Sequence, residues 1–405
     1  MTSQPPWIGA PEASRLLGVS RTTLYAYVSR GFIRSQPRPG SPRDRIYARD
    51  DVERMRRRTE ERRDPDKARA RALQWGLPIL ESAITLIDGS HLYYRGRDAI
   101  ALARTRSVAD VASLIWTGSV DSIATAASAG PDDVLDDGDL LFVARAQAVL
   151  AATAARDAMA FDLRTASVAS AGWRILQILT AVAAHSKVAA PTTEETLARA
   201  WRLRGHSVDA IRTTLILCAD HELNVSSFTA RCVASAGSHP YAVVIAGLAA
   251  LEGPKHGGAS ARAEAMLTSL RRQRRMDVSI AERLRRGERL EGFGHPLYRR
   301  GDPRARAILD LLQEHWSKSA ELAFVTSVAR AATAASGEQP NLDFALAALA
   351  RVLQLPDGSP LVLFAIGRSI GWIGHAIEQY ATDQLIRPRA KYVGVPPKHE
   401  GRSSG

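Results

Sequence analysis

The run Gly292-Phe293-Gly294-His295-Pro296-Leu297-Tyr298-Arg299-Arg300-Gly301-Asp302-Pro303-Arg304 decides how the rest of the chain is read. Glycine beside histidine lets the backbone approach a ligand, and it sets the imidazole at a helix end or loop mouth instead of inside a packed face. Two further histidines stand in contexts that helix building alone does not require: His221 in H-E-L-N-V-S-S-F-T-A-R and His256 in G-P-K-H-G-G-A. His375, inside the apolar helical run Gly371 to Tyr380, reads instead as structural.

Around these runs the body is nearly all helix. Apolar residues recur at helical spacing in Val108 to Trp116, Leu140 to Ala155, Ala166 to Ala184, Thr192 to Arg204, Val208 to Leu217 and Ser226 to Gly237. Strand-like alternation is confined to Ile84 to Ile87 and His91 to Tyr94. The Ala-, Gly- and Asp-rich stretch Ala124 to Gly138 reads as a mobile surface loop.

The N-terminal fifth differs in charge. Through Leu73 there are 17 Lys and Arg against 9 Asp and Glu, and the remainder has 37 against 33. Such a basic segment attracts polyanions through counterion release, while the nearly balanced remainder reads as an enzyme body; a merely solvated basic face is the competing account. Pro11 to Leu17 forms a short amphipathic helix, Gly18-Val19-Ser20 a turn, and Arg21 to Arg30 a second helix that Ser20 caps. That helix presents Arg21, Thr22 and Tyr25 outward with Tyr27 beside them, suited to a groove wall and phosphates. The loop Arg34 to Arg45, with Arg38, Arg43 and Arg45 among prolines, looks like a wing, and Arg54 to Arg71 like an exposed charged helix.

Cys218 and Cys232, the two cysteines, lie in apolar helix-like stretches and read as buried, reduced and structural. The start lacks the pattern of a signal peptide and no run of about 18 apolar residues is evident, so the expected location is cytoplasmic. A metal site is the competitor for the histidines, but no H-x-x-x-H pair or joining cysteine supports one, and none is expected. Arg304, Arg368 and Arg387 form a second constellation. A guanidinium in apolar surroundings is costly unless paired, and it suits a carboxylate, so several together would clamp a di-acid. For Arg387 a merely solvated basic terminus is the competing account.

Two parts of the chain resemble known families. The stretch from A-S-R-L-L-G-V-S-R-T-T-L-Y to R-I-Y-A-R-D-D-V resembles the winged helix-turn-helix of MerR-like and excisionase-like proteins, which implies DNA contact through Arg21, Thr22, Tyr25, Arg43 and Arg45. A module that has lost DNA binding and serves as a packing domain stays open. From Ser82 to Gly394, S-A-I-T-L-I-D-G, L-Y-Y-R-G-R-D, H-E-L-N-V-S-S-F-T, G-P-K-H-G-G-A, G-F-G-H-P-L-Y-R-R-G-D-P-R-A, N-L-D-F and F-A-I-G-R-S-I-G-W-I-G-H resemble citrate synthase in that family's order. The implied architecture is all-α: a citrate synthase fold of large and small helical domains, preceded by the small winged module. The expected boundaries are 1–58 for the module, 59–76 for a charged helical linker, 77–395 for the citrate synthase domain with its small domain at about 223–338, and 396–405 for a flexible tail.

The resemblance implies condensation of acetyl-CoA with oxaloacetate by a homodimer, a step of the tricarboxylic acid cycle, without metal or redox cofactor. Asp343 matches the base that takes a methyl proton, His256 the group bonded to the thioester oxygen, and His295 the donor to the oxaloacetate ketone. His221, Arg304 and Arg368 match binders of the oxaloacetate carboxylates, Arg387 the arginine lent by the other subunit, and Arg299 a CoA phosphate contact. Two departures stand out: Ala345, Leu346, Ala347 and Ala348 follow Phe344 where a Ser-Gly pair is common, and Ser260 stands where Asn often follows H-G-G-A. They bear on rate and acyl preference, so synthesis of 2-methylcitrate from propionyl-CoA stays open. So do a regulator that senses metabolites through this body and a scaffold subunit for a related chain.

Overall fold

The computed structural model describes residues 7–38, 40–53, 55–56, 80–120, 141–186, 190–298, 300–390 and 392–395, with the backbone alone along 41–43. The expected linker at 59–76, the loop Ala124 to Gly138 and the tail at 396–405 lie outside the described residues, as does all but 55–56 of the charged stretch Arg54 to Arg71. The chain divides into two compact units, Met1–Glu81 and Ser82–Gly405.

The first unit runs β1 (Trp7–Gly9), α1 (Ala10–Leu17), α2 (Arg21–Ser29), β2 (Ser35–Arg38) and β3 (Ser41–Ala48), and is helical again along 49–53. Ser20 caps α2, its hydroxyl accepting from the Thr23 amide at 3.2 Å. The strands form an antiparallel sheet in the order β1-β3-β2. Leu17, Leu24, Ile33, Tyr47 and Val52 close a small core beneath the helices. β1 was not anticipated, because three residues are too few to show alternation. Tyr27, expected outward, packs against this core.

In the second unit β4 (Thr85–Asp88), β5 (His91–Tyr94) and β6 (Arg97–Asp98) make an antiparallel meander. The helices of its first half are α3 (Ala99–Thr105), α4 (Val108–Thr117), α5 (Phe142–Ala154), α6 (Thr165–Ala184), α7 (Thr193–Ala200) and α8 (His206–Cys218). Next come α9 (Val225–Ser235), α10 (Pro240–Glu252), α11 (Gly258–Arg271), α12 (Met276–Arg285), α13 (Pro303–Trp316), α14 (Ala320–Ser336), α15 (Leu342–Leu353) and α16 (Ser359–Thr382). The helix expected to reach Arg204 stops at Ala200, and Arg202 takes a left-handed backbone with φ of 59°.

The long helix α16 runs through the core, with Leu363, Ile366, Ile370 and Trp372 fully buried and the Trp116 indole donating to its Ile370 carbonyl at 2.8 Å. Two sequence expectations are corrected. By length and composition α6 and α16 are apolar enough to cross a bilayer, with mean hydropathy 1.2 and 1.3, but 67% and 89% of those windows are buried inside the protein. They are apolar on all sides because neighbouring helices surround them. Cys218 is buried as expected, whereas Cys232 is only half-buried.

Candidate active site

Two loops are stitched together in the second unit. The Gly294 amide donates to the Gln339 carbonyl at 2.8 Å, the Asn341 amide to the Gly292 carbonyl at 2.9 Å, and the Asn341 side chain to the Gly294 carbonyl at 2.9 Å. Gly292 has φ of 85°, and a Cβ there would lie 3.0 Å from the Phe344 backbone nitrogen and Cα, so only glycine permits this approach. Asn341 also caps α15, its side-chain oxygen accepting from the Asp343 amide at 3.0 Å. The loop bearing His295 and the helix start bearing Asp343 are therefore one construction.

His295 faces His221 and Tyr298, with ring centroids 5.2 and 4.9 Å away. Its Nδ1 accepts from the Leu297 amide at 3.1 Å. Burial, with Arg304 adding to it, lowers its pKa to about 4, so the ring is neutral at neutral pH and its proton sits on Nε2. His221 is buried, with Nε2 2.9 Å from the Tyr298 hydroxyl. Burial, together with Arg304, Arg368 and His295, holds its pKa well below the ordinary value. The next residue, Glu222, is left-handed at φ 52° with its amide donating to Asp220, which sharpens the turn at which His221 projects.

Asp302 ties this group to the base of α15. Its carboxylate accepts from the Arg304 guanidinium at 2.7 and 3.0 Å, from the Arg304 amide at 3.0 Å, and from the Leu342 amide at 3.3 Å. Arg304, almost fully buried, lies 5.8 Å from the Tyr298 ring centre, and the pairing with Asp302 raises its pKa against the effect of burial. Arg368 is as deeply buried; its Nε donates to the Cys218 carbonyl at 2.7 Å and its guanidinium lies 4.5 Å from the Phe364 ring centre. Burial lowers its pKa, and it forms no ion pair with a carboxylate among the described residues.

The same Phe364 ring is 5.7 Å from His256. His256 Nε2 lies 2.8 Å from the Ser226 hydroxyl, which also receives the Trp372 indole N–H at 3.2 Å. Burial and Arg368 lower the His256 pKa to about 4. Asp343 Oδ1 accepts from the Ser260 hydroxyl at 2.6 Å, and burial raises its pKa against that hydrogen bond and the field of Arg304. His221, His256, His295, Arg304, Arg368 and Asp343 are thus joined through shared neighbours within one unit.

Other residues singled out in the sequence fall elsewhere. Arg387 is exposed, beyond the end of α16, and this chain does not bring it to the cluster. Arg299 lies outside the described residues, and so does the side chain of Arg43. Arg21, Thr22 and Tyr25 are exposed on α2, whereas the Arg45 guanidinium is engaged across the hairpin, donating to the Ser35 hydroxyl at 3.0 Å and its carbonyl at 3.2 Å. His375, read as structural, is fully buried with Nε2 3.1 Å from Asp220, which also accepts from Thr85 at 2.6 Å. Tyr298, Asp302 and Ser226 were not anticipated from the sequence. The first two stand inside the glycine-flanked run 292–304, and Ser226 inside the H-E-L-N-V-S-S run, where a hydroxyl beside a capping Asn was the available signal.

Comparison with known proteins gives consistent relatives. The family model described as citrate synthase, C-terminal domain, matches residues 72–389, and a helix-turn-helix domain model matches residues 7–59. Citrate synthase 2 of Bacillus subtilis is 36% identical over 190 residues, 46% of this chain, and that match spans 51% of its own length, about half. The citrate synthase of Haloferax volcanii is 31% identical over 362 residues, covering 79% of this chain and 94% of that protein. The 2-methylcitrate synthase of Shewanella oneidensis is 33% identical over 209 residues, 48% of this chain and 54% of that one. Among solved structures, the citrate synthase of Thermoplasma acidophilum in ternary complex with carboxymethyl coenzyme A and oxaloacetate superposes with a TM-score of 0.71 at 26% identity, covering 81% of this chain and 97% of that one.

Proposed function

The chain belongs to the citrate synthase family, and we propose that it condenses acetyl-CoA with oxaloacetate and hydrolyses the resulting citryl-CoA to citrate and CoA. In this reading the Asp343 carboxylate takes a proton from the acetyl methyl group, and its basicity is raised by burial. A thioester methyl is a very weak acid, so the charge developing on the thioester oxygen needs a preorganised donor. His256 supplies it through Nδ1 provided Ser226 turns its single proton to Nε2. Asn224 tolerates that turn, because its side-chain oxygen already accepts the Ser226 and Ser227 amides at 3.1 and 3.2 Å.

The enol carbon then attacks the oxaloacetate ketone, and the carbonyl electron pair moves to the oxygen facing His295. The observation that carries the reading is the Leu297 amide on His295 Nδ1: in a neutral ring it leaves Nε2–H as the donor that an electrophilic ketone requires. Arg304, Arg368 and His221 bind the two carboxylates, and a second subunit lends Arg387 in a homodimer. Arg299 contacts CoA phosphate. Water attacks the thioester carbonyl of citryl-CoA, and CoA leaves as the thiol. The scheme calls for no metal or redox cofactor.

Propionyl-CoA is a second donor to test, since a relative named 2-methylcitrate synthase is nearly as similar as those named citrate synthase and a hydrophobic pocket separates one methylene by only about 1–3 kcal/mol. The test is oxaloacetate-dependent thiol release from each acyl-CoA by the wild type, by Asp343→Asn and by Arg387→Ala. Activity is expected in the wild type and lost in both variants, and mixing the two inactive dimers should restore part of it if Arg387 acts across subunits. No thiol release by the wild type with either donor would reject the reading. The exposed side chains of Arg21, Thr22 and Tyr25 on α2 support a further role in DNA binding.

A further inference from the structure

We propose that Ser260 is a positioning residue for Asp343, its buried hydroxyl holding one carboxylate oxygen so that the other is aimed and tuned as the base. This rests on the reading of Asp343 as that base. Ser260 has no exposed surface, and its hydroxyl reaches Asp343 Oδ1 at 2.6 Å, in the range of hydrogen bonds to a charged acceptor. An ionised carboxylate only accepts, so the hydroxyl proton must point to Asp343. The Asp343 backbone is already fixed by the Asn341 cap, which leaves the orientation of the carboxylate about its own side-chain bonds for Ser260 to set.

The placement also couples the two groups that act on the acetyl thioester, one at its methyl and one at its oxygen. Ser260 lies in the first turn of α11, four residues after His256, so the turn leading into that helix carries the thioester donor and its first turn carries the clamp on the base. A donor to a carboxylate favours its charged form, and here it opposes the burial that pushes the same carboxyl up. Without the hydroxyl, burial acts with less opposition, and a larger share of Asp343 is protonated and unable to accept a proton. An Asn at this position would present an amide donor on a longer side chain; the serine makes the contact with a single short hydroxyl.

The experiment is an NMR titration of the Asp343 carboxyl in the full-length protein with isotope-labelled aspartate, the signal being assigned by its loss in Asp343→Asn. In Ser260→Ala, which adds no bulk, the carboxyl is expected to titrate about one pH unit higher than in the wild type. Ser260→Thr, which retains the hydroxyl, is expected to titrate as the wild type does. In thiol release, the acid limb of the kcat profile should move by the same amount in Ser260→Ala, and its alkaline plateau should lie below that of the wild type, because the freed carboxylate is no longer aimed. An unshifted carboxyl in Ser260→Ala, or a shift of equal size in Ser260→Thr, would overturn the proposal. The titration reads the carboxyl directly, so it decides the clamp even if the wild type releases no thiol, an outcome that would reject only the assignment of the base.

Discussion

Arg368 carries a charge in the core with no carboxylate at ion-pair distance among the described residues; the Cys218 carbonyl and the face of Phe364 hold it, and the field of Asp220 only partly opposes its burial. Burying such a cation costs free energy that a ligand carboxylate would offset on binding. Arg304 differs, since Asp302 already pairs with it and the two together are close to neutral. Arg368→Met is therefore expected to raise the dissociation constant for oxaloacetate roughly ten- to a hundredfold, as loss of a hydrogen bond to a charged group does. It should leave the melting temperature unchanged or higher, because a residue of similar volume without charge fits an apolar site. Calorimetric binding of oxaloacetate and a thermal melt check the two halves, and a variant that binds as tightly as the wild type would remove Arg368 from the site. At this scale the sequence was legible where glycine or an apolar run set a polar group apart, as at His256, His295 and Arg368. Tyr298 and Asp302 were not legible, because a tyrosine or an aspartate in a loop is ordinarily solvated.

The helices impose their own constraint on the site. Gly371 of α16 donates its amide to the Ala219 carbonyl at 3.0 Å, and a Cβ there would lie 2.4 Å from that carbonyl and 2.5 Å from the Asp220 carboxylate. That approach brings α16, with Arg368 and His375, against the turn from which His221 projects. Gly371→Ala gains about 1 kcal/mol in helix propensity. The overlap with a backbone oxygen, which has no rotamer to escape into, is expected to outweigh that gain, for a net loss of about 1–3 kcal/mol. Denaturant unfolding measures the loss, and the displaced His221 should also raise the KM for oxaloacetate. A variant as stable and as active as the wild type would show that the helix can retreat without consequence. Helical periodicity located the main elements to within a few residues, and the Ser20 cap of α2 was readable from its turn. The closeness of α16 to residues 219–221 was not, since glycine in an apolar helical run has no periodic signature of its own.

For the molecule as a whole, each of the two units has its own hydrophobic core, and the helix-turn-helix match lies in the unit with the denser positive charge. With Arg21, Thr22 and Tyr25 exposed on α2, binding to double-stranded DNA is expected to weaken steeply with added salt, and Arg21→Ala to lower the salt slope by about one counterion. Fluorescence anisotropy over a salt series checks this; no binding at low salt would leave the unit as a packing or protein-contact module. The sequence by itself determined the family, the helical class of the body and the two kinds of unit, because residue order and local periodicity suffice for these. Only the tertiary structure decided which nitrogen of His295 carries the proton, which arginine stays without an ion-paired carboxylate and which hydroxyl holds Asp343. The contacts that build the site join positions far apart in the chain, 77 positions from His221 to Tyr298, 83 from Ser260 to Asp343 and 150 from Cys218 to Arg368. Burial then makes each of those contacts count, since a polar group withdrawn from water takes its protonation and direction from the few neighbours that remain.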